Sequence, residues 1–210
     1  MKITNLGHAS FLLEGNEISF VIDPYQDNSV PGLRFPKVIA NYVFKSHDHH
    51  DHNAVELVNV EPTNTEIKYE TITVPHDHHN GAERGLNKIH FFYVDNMKII
   101  HTGDLGCIPG SDVLEKMKNA DVLLAPINGF YTISAQELLD ICQIIKPKIV
   151  IPMHYYKKED NSGYPDGGQI DKFKQLFDKF IEVNDYSINV DNKPTDNKAF
   201  IFKKARQRGR

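Results

Sequence analysis

The segment Ser46-His47-Asp48-His49-His50-Asp51-His52 contains the spacing His-x-His-x-Asp-His. Side chains at i and i+2 of an extended chain point the same way, so His47 and His49 can hold one metal ion. Asp51 and His52 come after a turn and can reach a second ion a few ångströms on. Imidazole together with carboxylate suits Zn, Fe or Mn, whereas Ca and Mg prefer shells of oxygen. More groups of the same kind recur along the chain. His76-Asp77-His78-His79 follows Val74-Pro75, Asp104 follows Thr102-Gly103, and His154 follows Ile149-Val150-Ile151-Pro152. With Asp104 as a bridge, these residues make a binuclear site. Within the second cluster the spacing alone leaves His76, His78 and His79 open.

Two ions about 3.5–4 Å apart hold a shared water, bring its pKa towards neutrality and polarise a carbonyl or phosphoryl oxygen. The chain has no Gly-x-Ser-x-Gly elbow, and neither Cys107 nor Cys142 is needed as a nucleophile. The reaction class is therefore metal-assisted hydrolysis, with Asp51 orienting the attacking hydroxide.

Each ligand type must be delivered by a strand. Lys2–Leu6, Ser10–Leu13 and Glu17–Ile22 read as short strands of a meander, broken at Gly7 and at Gly15-Asn16. Val38–Phe44 is a further strand leading to the first histidine cluster, Asn53–Val58 a short helix, and Ile67–Val74 the strand leading to the second. Lys88–Val94 and Met97–His101 form a hairpin turning at Asp95-Asn96. Ser111–Lys118 reads as a short helix and Asp121–Ala125 as a buried strand. Ser134-Ala-Gln-Glu137 is a capping box that opens a helix with the apolar stripe Leu138, Ile141, Cys142 and Ile145, stopped by Pro147. Lys148–Pro152 is another buried strand. Ile170, Phe173, Phe177 and Phe180 mark a last amphipathic helix, before closing strands near 185–190 and 198–203. Strands with interspersed helices in both halves predict an α/β layered sandwich, two sheets inside and helices outside.

Composition narrows the classes. The 210 residues are 40% hydrophobic and 25% charged, enough for one sizeable core. No apolar run is long enough to span a bilayer, and Met1 to Phe11 reads as a strand rather than a secretory leader. Two cysteines make no disulfide framework, which points to the cytoplasm. Net charge is −4 and Lys203 to Arg210 carry +5, which leaves the body at −9 and argues against a nucleic-acid surface. The expected organisation is a single domain over 1–202 and a disordered basic tail over 203–210.

The chain resembles the metallo-β-lactamase superfamily of metal-dependent hydrolases, and within it the small branch of L-ascorbate-6-phosphate lactonase-like proteins. The matching motifs are Gly7-His8-Ala9-Ser10, Ile22-Asp23-Pro24, His47-x-His49-x-Asp51-His52, His76-Asp77 with Arg84-Gly85-x-Asn87, His101-x-Gly103-Asp104-Leu105-Gly106, and His154. They spread over roughly residues 1–180. The resemblance implies a four-layer αββα sandwich with the metals at one edge between the sheets. It also implies that His47, His49 and His76 hold one ion, that Asp51, His52 and His154 hold the other, and that Asp104 bridges them. Asp51 and Asp104 would be the catalytic carboxylates, with His8, Asp23 and His101 supporting the ligands from behind. The cofactor would be two divalent ions, zinc first and manganese or iron next. Asn128 stands where the resemblance expects a second glycine.

The implied activity is cleavage of a small-molecule ester, lactone or phosphoester by a metal-bridging hydroxide. Arg34, Lys45, Arg84, Lys157 and Lys158 are candidate contacts for an anionic group, and Tyr131, Tyr155 and Tyr156 for a pocket wall. The alternatives are a nuclease or phosphodiesterase acting on nucleic acid, and a metal-binding protein of the same fold without catalysis. Homo-oligomers are compatible with the sequence, and a membrane partner is not indicated.

Overall fold

The structure, a computed structural model, describes residues 1–168, 170–191 and 198–208. The chain opens with an antiparallel meander of β1 (Lys2–Gly7), β2 (Ser10–Glu14) and β3 (Ser19–Ile22). The stretch predicted as one strand over 38–44 is divided. β4 (Val38–Ala40) leaves the main sheet to pair in parallel with β6 (Val58–Val60), and β5 (Tyr42–Phe44) pairs in parallel with β3. Asn41, between them, bonds through its side chain to the Ser19 amide, so the chain changes partner there. The expected helix over 53–58 is one 3₁₀ turn, Val55–Leu57.

The second half adds β7 (Lys68–Pro75), β8 (Leu86–Val94), β9 (Met97–His101), α1 (Ser111–Met117), β10 (Val122–Pro126), α2 (Ala135–Ile145) and β11 (Ile149–Met153). After it come α3 (Ile170–Leu176), β12 (Phe180–Val183), β13 (Ser187–Asn189) and β14 (Lys198–Phe202). Asp95 and Asn96 both take positive φ, as the tight β8–β9 turn demands. The capping box at Ser134 and Glu137 forms in both directions. Phe180, expected on the last helix, instead begins β12, because pairing with Ala199 of β14 captures it.

Two sheets face each other. One has the order β13-β1-β2-β3-β5 and the other β12-β14-β11-β10-β9-β8-β7. Ile3, Phe11, Leu13, Phe20 and Ile22 from the first sheet pack against Phe92, Ile99, Val122, Leu124, Ile149 and Ile151 from the second. The alternate residues Leu123, Ala125 and Val150 turn to the other face and meet Leu138, Ile141 and Ile145 of α2 and Phe173 of α3. Strands covered on both faces read as unbroken apolar runs, which is why β10 and β11 carry no alternation. The outer face of the first sheet, Leu6, Leu12 and Val21, is covered by Tyr25, Val30, Phe35, Val38 and Val58 from the 24–60 segment. Among the described residues, this fourth layer is loop, 3₁₀ turn and the β4–β6 ribbon, while the helices cover the other sheet.

The basic tail, expected to be disordered, is docked as far as Arg208. Arg206 N donates to Asn5 O, Gln207 Nε2 donates to Leu6 O and Tyr25 Oη, and Arg208 pairs with Asp27. The carbonyls of Asn5 and Leu6, beyond the β1–β13 pairing, give the tail its partners. Gly209 and Arg210 lie outside the described residues. No helix among the described residues is long and apolar enough to cross a membrane.

Candidate metal centre

β1, β5, β7, β9 and β11 all send their C-terminal ends to one edge of the sandwich. There the chain leaves them at His8, His47, His76, Asp104 and His154. Three residues at this edge, His8, Asp23 and His154, hold positive φ without being glycine. Such backbone strain persists where the surroundings over-determine it, and it clusters at functional sites.

All seven ligand candidates converge. Asp104 is the common neighbour: its Oδ2 lies 3.1 Å from His154 Nε2, 3.3 Å from His52 Nε2, 3.3 Å from His76 Nε2 and 4.0 Å from His47 Nε2. His47, His49 and His76 form one group able to grip an ion, and Asp51, His52 and His154 belong to another, with His8 added. Asp104 is 2% exposed and His52 is fully buried. His76 is the member of the second cluster at the site. His78 turns away to Glu137 at 2.8 Å and His79 to Glu83 at 3.4 Å, both exposed.

Asp23 organises the first cluster from behind. Its carboxylate accepts the Ser46 amide at 2.6 Å, the Ser46 hydroxyl at 2.7 Å and His52 Nδ1–H at 2.9 Å. Burial works against its charge, but His52 beside it holds the carboxyl down to about 2. A carboxylate only accepts, so His52 keeps a proton on Nδ1 and Nε2 is the nitrogen turned to Asp104. Burial opposes its charge, but Asp104, Asp51 and Asp23 raise the His52 pKa well above the usual value, and an ion bound at Nε2 would displace the second proton. Because the Ser46 hydroxyl donates to Asp23, its oxygen is left to accept from His47 Nδ1 at 2.9 Å. That leaves the His47 Nε2 lone pair facing the site too, so one buried carboxylate sets both tautomers. His101 serves the scaffold more than the ligands. It donates through Nε2 to Ala9 O, accepts the Gly103 amide at Nδ1, and comes within 3.9 Å of Asp23.

The Asp104 loop is clamped by Asn87, whose side chain donates to Thr102 O and accepts from Asp104 N. Gly103 and Gly106 are required by crowding. A Cβ on Gly103 would meet Asn87 Oδ1 at 2.1 Å, and one on Gly106 would meet Asp77 N at 2.0 Å.

The electrostatics suit a cation. Burial, and then the His52 charge, lower His47 to about 3; burial and His154 lower His8 to about 4. Neutral imidazole is the form that ligates. Burial opposes ionisation of Asp51 and Asp104, but the surrounding histidines hold both carboxyls well below the usual range. Among the described residues, His52 Nε2 and Asp104 Oδ1 are buried without a hydrogen-bond partner. Unpartnered nitrogen and oxygen atoms at the centre of such a ligand set are what a divalent ion would satisfy.

The profile of the beta-lactamase superfamily domain matches residues 2–154. The chain belongs to the metallo-β-lactamase superfamily of metal-dependent hydrolases. A UPF0173 metal-dependent hydrolase of Desulforamulus reducens is 30% identical over 192 residues, 74% of this chain and 84% of its own length. A UPF0173 protein of Pyrococcus abyssi is 29% identical over 201 residues, covering 83% and 90%. A Thermotoga maritima protein assigned to the Zn-dependent hydrolases of the superfamily shares the fold at a TM-score of 0.74 with 30% identity, covering 96% of this chain and 97% of that one.

Within this metallo-β-lactamase fold, one contact was not read from sequence. The Tyr164 hydroxyl lies 3.1 Å from Asp51 Oδ2 and 2.9 Å from Ser29 O, and its ring meets His8 edge-on. Its only signal in the chain is its place ten residues beyond His154. Of the candidate pocket residues, Arg84 and Tyr131 join Tyr164 in lining a cavity of about 210 Å³ over His49, His76 and Asp104. Lys45 lines an adjoining cavity. Tyr155 is buried in the core, its hydroxyl meeting Phe202 O, while Tyr156 bonds Asn161 in the 155–163 loop.

Proposed function

We propose that the chain hydrolyses a small-molecule ester, lactone or phosphoester on two divalent ions, zinc in the first place, in the cytoplasm. The observation that carries the reading is Asp104 Oδ2 standing within 4.0 Å of four imidazole nitrogens drawn from two ligand groups. His47, His49 and His76 would hold one ion, Asp51, His52 and His154 the other, with Asp104 between. When bound, such ions supply Lewis acidity and lower the pKa of a coordinated water.

The chain's own residues supply the rest. His8 Nε2, at 3.1 Å, and the Tyr164 hydroxyl both meet Asp51 Oδ2, which fixes the orientation of that carboxylate. Asp51 is then positioned to accept a hydrogen bond from the attacking water and orient it. Burial, then the charge of Asp51, raises the Tyr164 hydroxyl pKa, so it keeps its proton at neutral pH. That single O–H is shared between Asp51 Oδ2 and Ser29 O, and from the cavity wall it can turn to a leaving-group oxygen and stabilise the charge developing there.

The test is metal content per chain in protein purified without chelator, followed by a panel of lactones, carboxylic esters and phosphoesters with Zn or Mn added back. Two ions per chain and turnover on one of these classes support the reading. A single ion would shift it to mononuclear chemistry. No ion even after reconstitution would refute it.

A further inference from the structure

The wall of the cavity carries a cation that the ligand set does not explain. Residues 77–84 are wound around the Asp77 carboxylate, which accepts the amides of His79, Gly81, Glu83 and Arg84 at 2.7 to 3.0 Å. Burial opposes the Asp77 charge, but those four donors hold the carboxyl at about 2. The backbone of Arg84 is thereby fixed eight residues after His76. Its guanidinium lies over the Tyr131 ring, 4.5 Å from the centroid. Tyr131 is held in turn: the Asn128 side chain accepts the amides of Phe130 and Tyr131 at 3.1 and 2.9 Å. This is the Asn128 that departs from the family pattern, and its role is to build the rim.

Among the described residues no carboxylate lies within ion-pair distance of Arg84, although acidic residues outnumber Lys and Arg by 28 to 24 in this chain. Arg84 also lies between two cavities. One, of about 210 Å³, holds His49, Asp51, His76 and Asp104; the next, of about 300 Å³, adds Lys45 and Lys88. A guanidinium held over an aromatic ring keeps its planar fork of N–H donors, which matches two oxygens of a carboxylate or phosphate.

We propose that Arg84, braced by Tyr131 and Asn128, binds an anionic group of the substrate set off from the bond that is cleaved. The substrate class is then a small ester, lactone or phosphoester carrying a second, separate oxyanion. This rests on the hydrolase reading for the bond that breaks, and on the cavity wall for the anion.

Two measurements separate the two ideas. In the first, Zn-loaded wild type, Arg84→Met and Arg84→Lys are titrated calorimetrically with phosphonoacetate, which carries two anionic ends, and with methylphosphonate, which carries one. The ratio of the two affinities in wild type is expected to fall about ten-fold in Arg84→Met and by less in Arg84→Lys, which keeps the charge but not the planar fork. An unchanged ratio in Arg84→Met overturns the proposal. So does an equal loss for both probes accompanied by a loss of bound zinc, which would mark Arg84 as a support of the metal centre. In the second, kcat/KM is compared for 4-nitrophenyl hemiglutarate and 4-nitrophenyl acetate. The preference for the anionic ester should fall about ten-fold in Arg84→Met; an unchanged preference overturns the proposal. If wild type cleaves neither ester, the hydrolase reading loses its ester branch while the binding ratio still decides the role of Arg84.

Discussion

Replacing Asp23 by Asn tests whether a buried carboxylate that touches no metal sets the metal affinity. Asn is nearly the same size, so the change removes charge and swaps one acceptor for an amide NH₂. The Ser46 amide at 2.6 Å can still be accepted by the remaining oxygen. The NH₂ then faces His52 Nδ1, at present 2.9 Å from Oδ2, and the Ser46 hydroxyl, at 2.7 Å. Two donors face each other there unless His52 moves its proton to Nε2. That proton would then sit on the lone pair aimed at Asp104 and the ion. Loss of such a support costs about 10–100-fold in metal affinity, which is about 1.4–2.7 kcal/mol. The metal-free fold also loses a hydrogen bond to a charged group, about 1.5–3 kcal/mol. The assay is competition for zinc between the protein and a chromophoric chelator, with a thermal melt of each metal-free protein alongside. A Kd within two-fold of wild type would refute the tautomer argument, even if the melt showed a large loss. In that case Asp23 would hold the fold and nothing more.

Asp51→Ala and Asp104→Ala should each lower turnover by at least about a hundred-fold, or 2.7 kcal/mol in activation free energy, while circular dichroism shows the sheets intact; turnover near the wild-type level would remove them from the mechanism. Stripping metal with a chelator should lower Tm. At a thousand-fold excess of zinc over Kd, binding contributes about 4 kcal/mol, which is roughly 8–16 °C for a chain of this size, and a melt that ignores zinc would show that the ligands do not close on an ion. Gln207→Ala removes contacts to Leu6 O, Tyr25 Oη and Arg34 N at 2.9, 2.9 and 2.7 Å. It should cost about 1–3 kcal/mol, read as a Tm several degrees lower, and an unaltered Tm would mean the tail adds no stability.

Much of the site is legible along the chain because ligand spacing is a local property. The i, i+2 pair His47 and His49, the turn that delivers Asp51 and His52, the capping box at Ser134 and the Asp95-Asn96 hairpin follow from backbone geometry within a few residues. The unbroken apolar runs of β10 and β11 announce a sheet covered on both faces. The family motifs supply the order in which distant ligands are used.

Other features depend on which surfaces the fold brings together. His76, His78 and His79 are equivalent in the chain, and only the exit angle of β7 turns the first inward and leaves the others to Glu137 and Glu83. Phe180 fits a helical stripe, yet pairing with β14 makes it strand. The basic tail reads as a solvated end until the carbonyls of Asn5 and Leu6 are there to receive it. Tyr164 meets Asp51 across 113 positions, and the Arg84 guanidinium finds Tyr131 rather than a carboxylate. Local spacing can state which groups are able to ligate. Burial, tautomer and the pairing of charges are set by neighbours far away in the chain, and those exist only once the two sheets have closed.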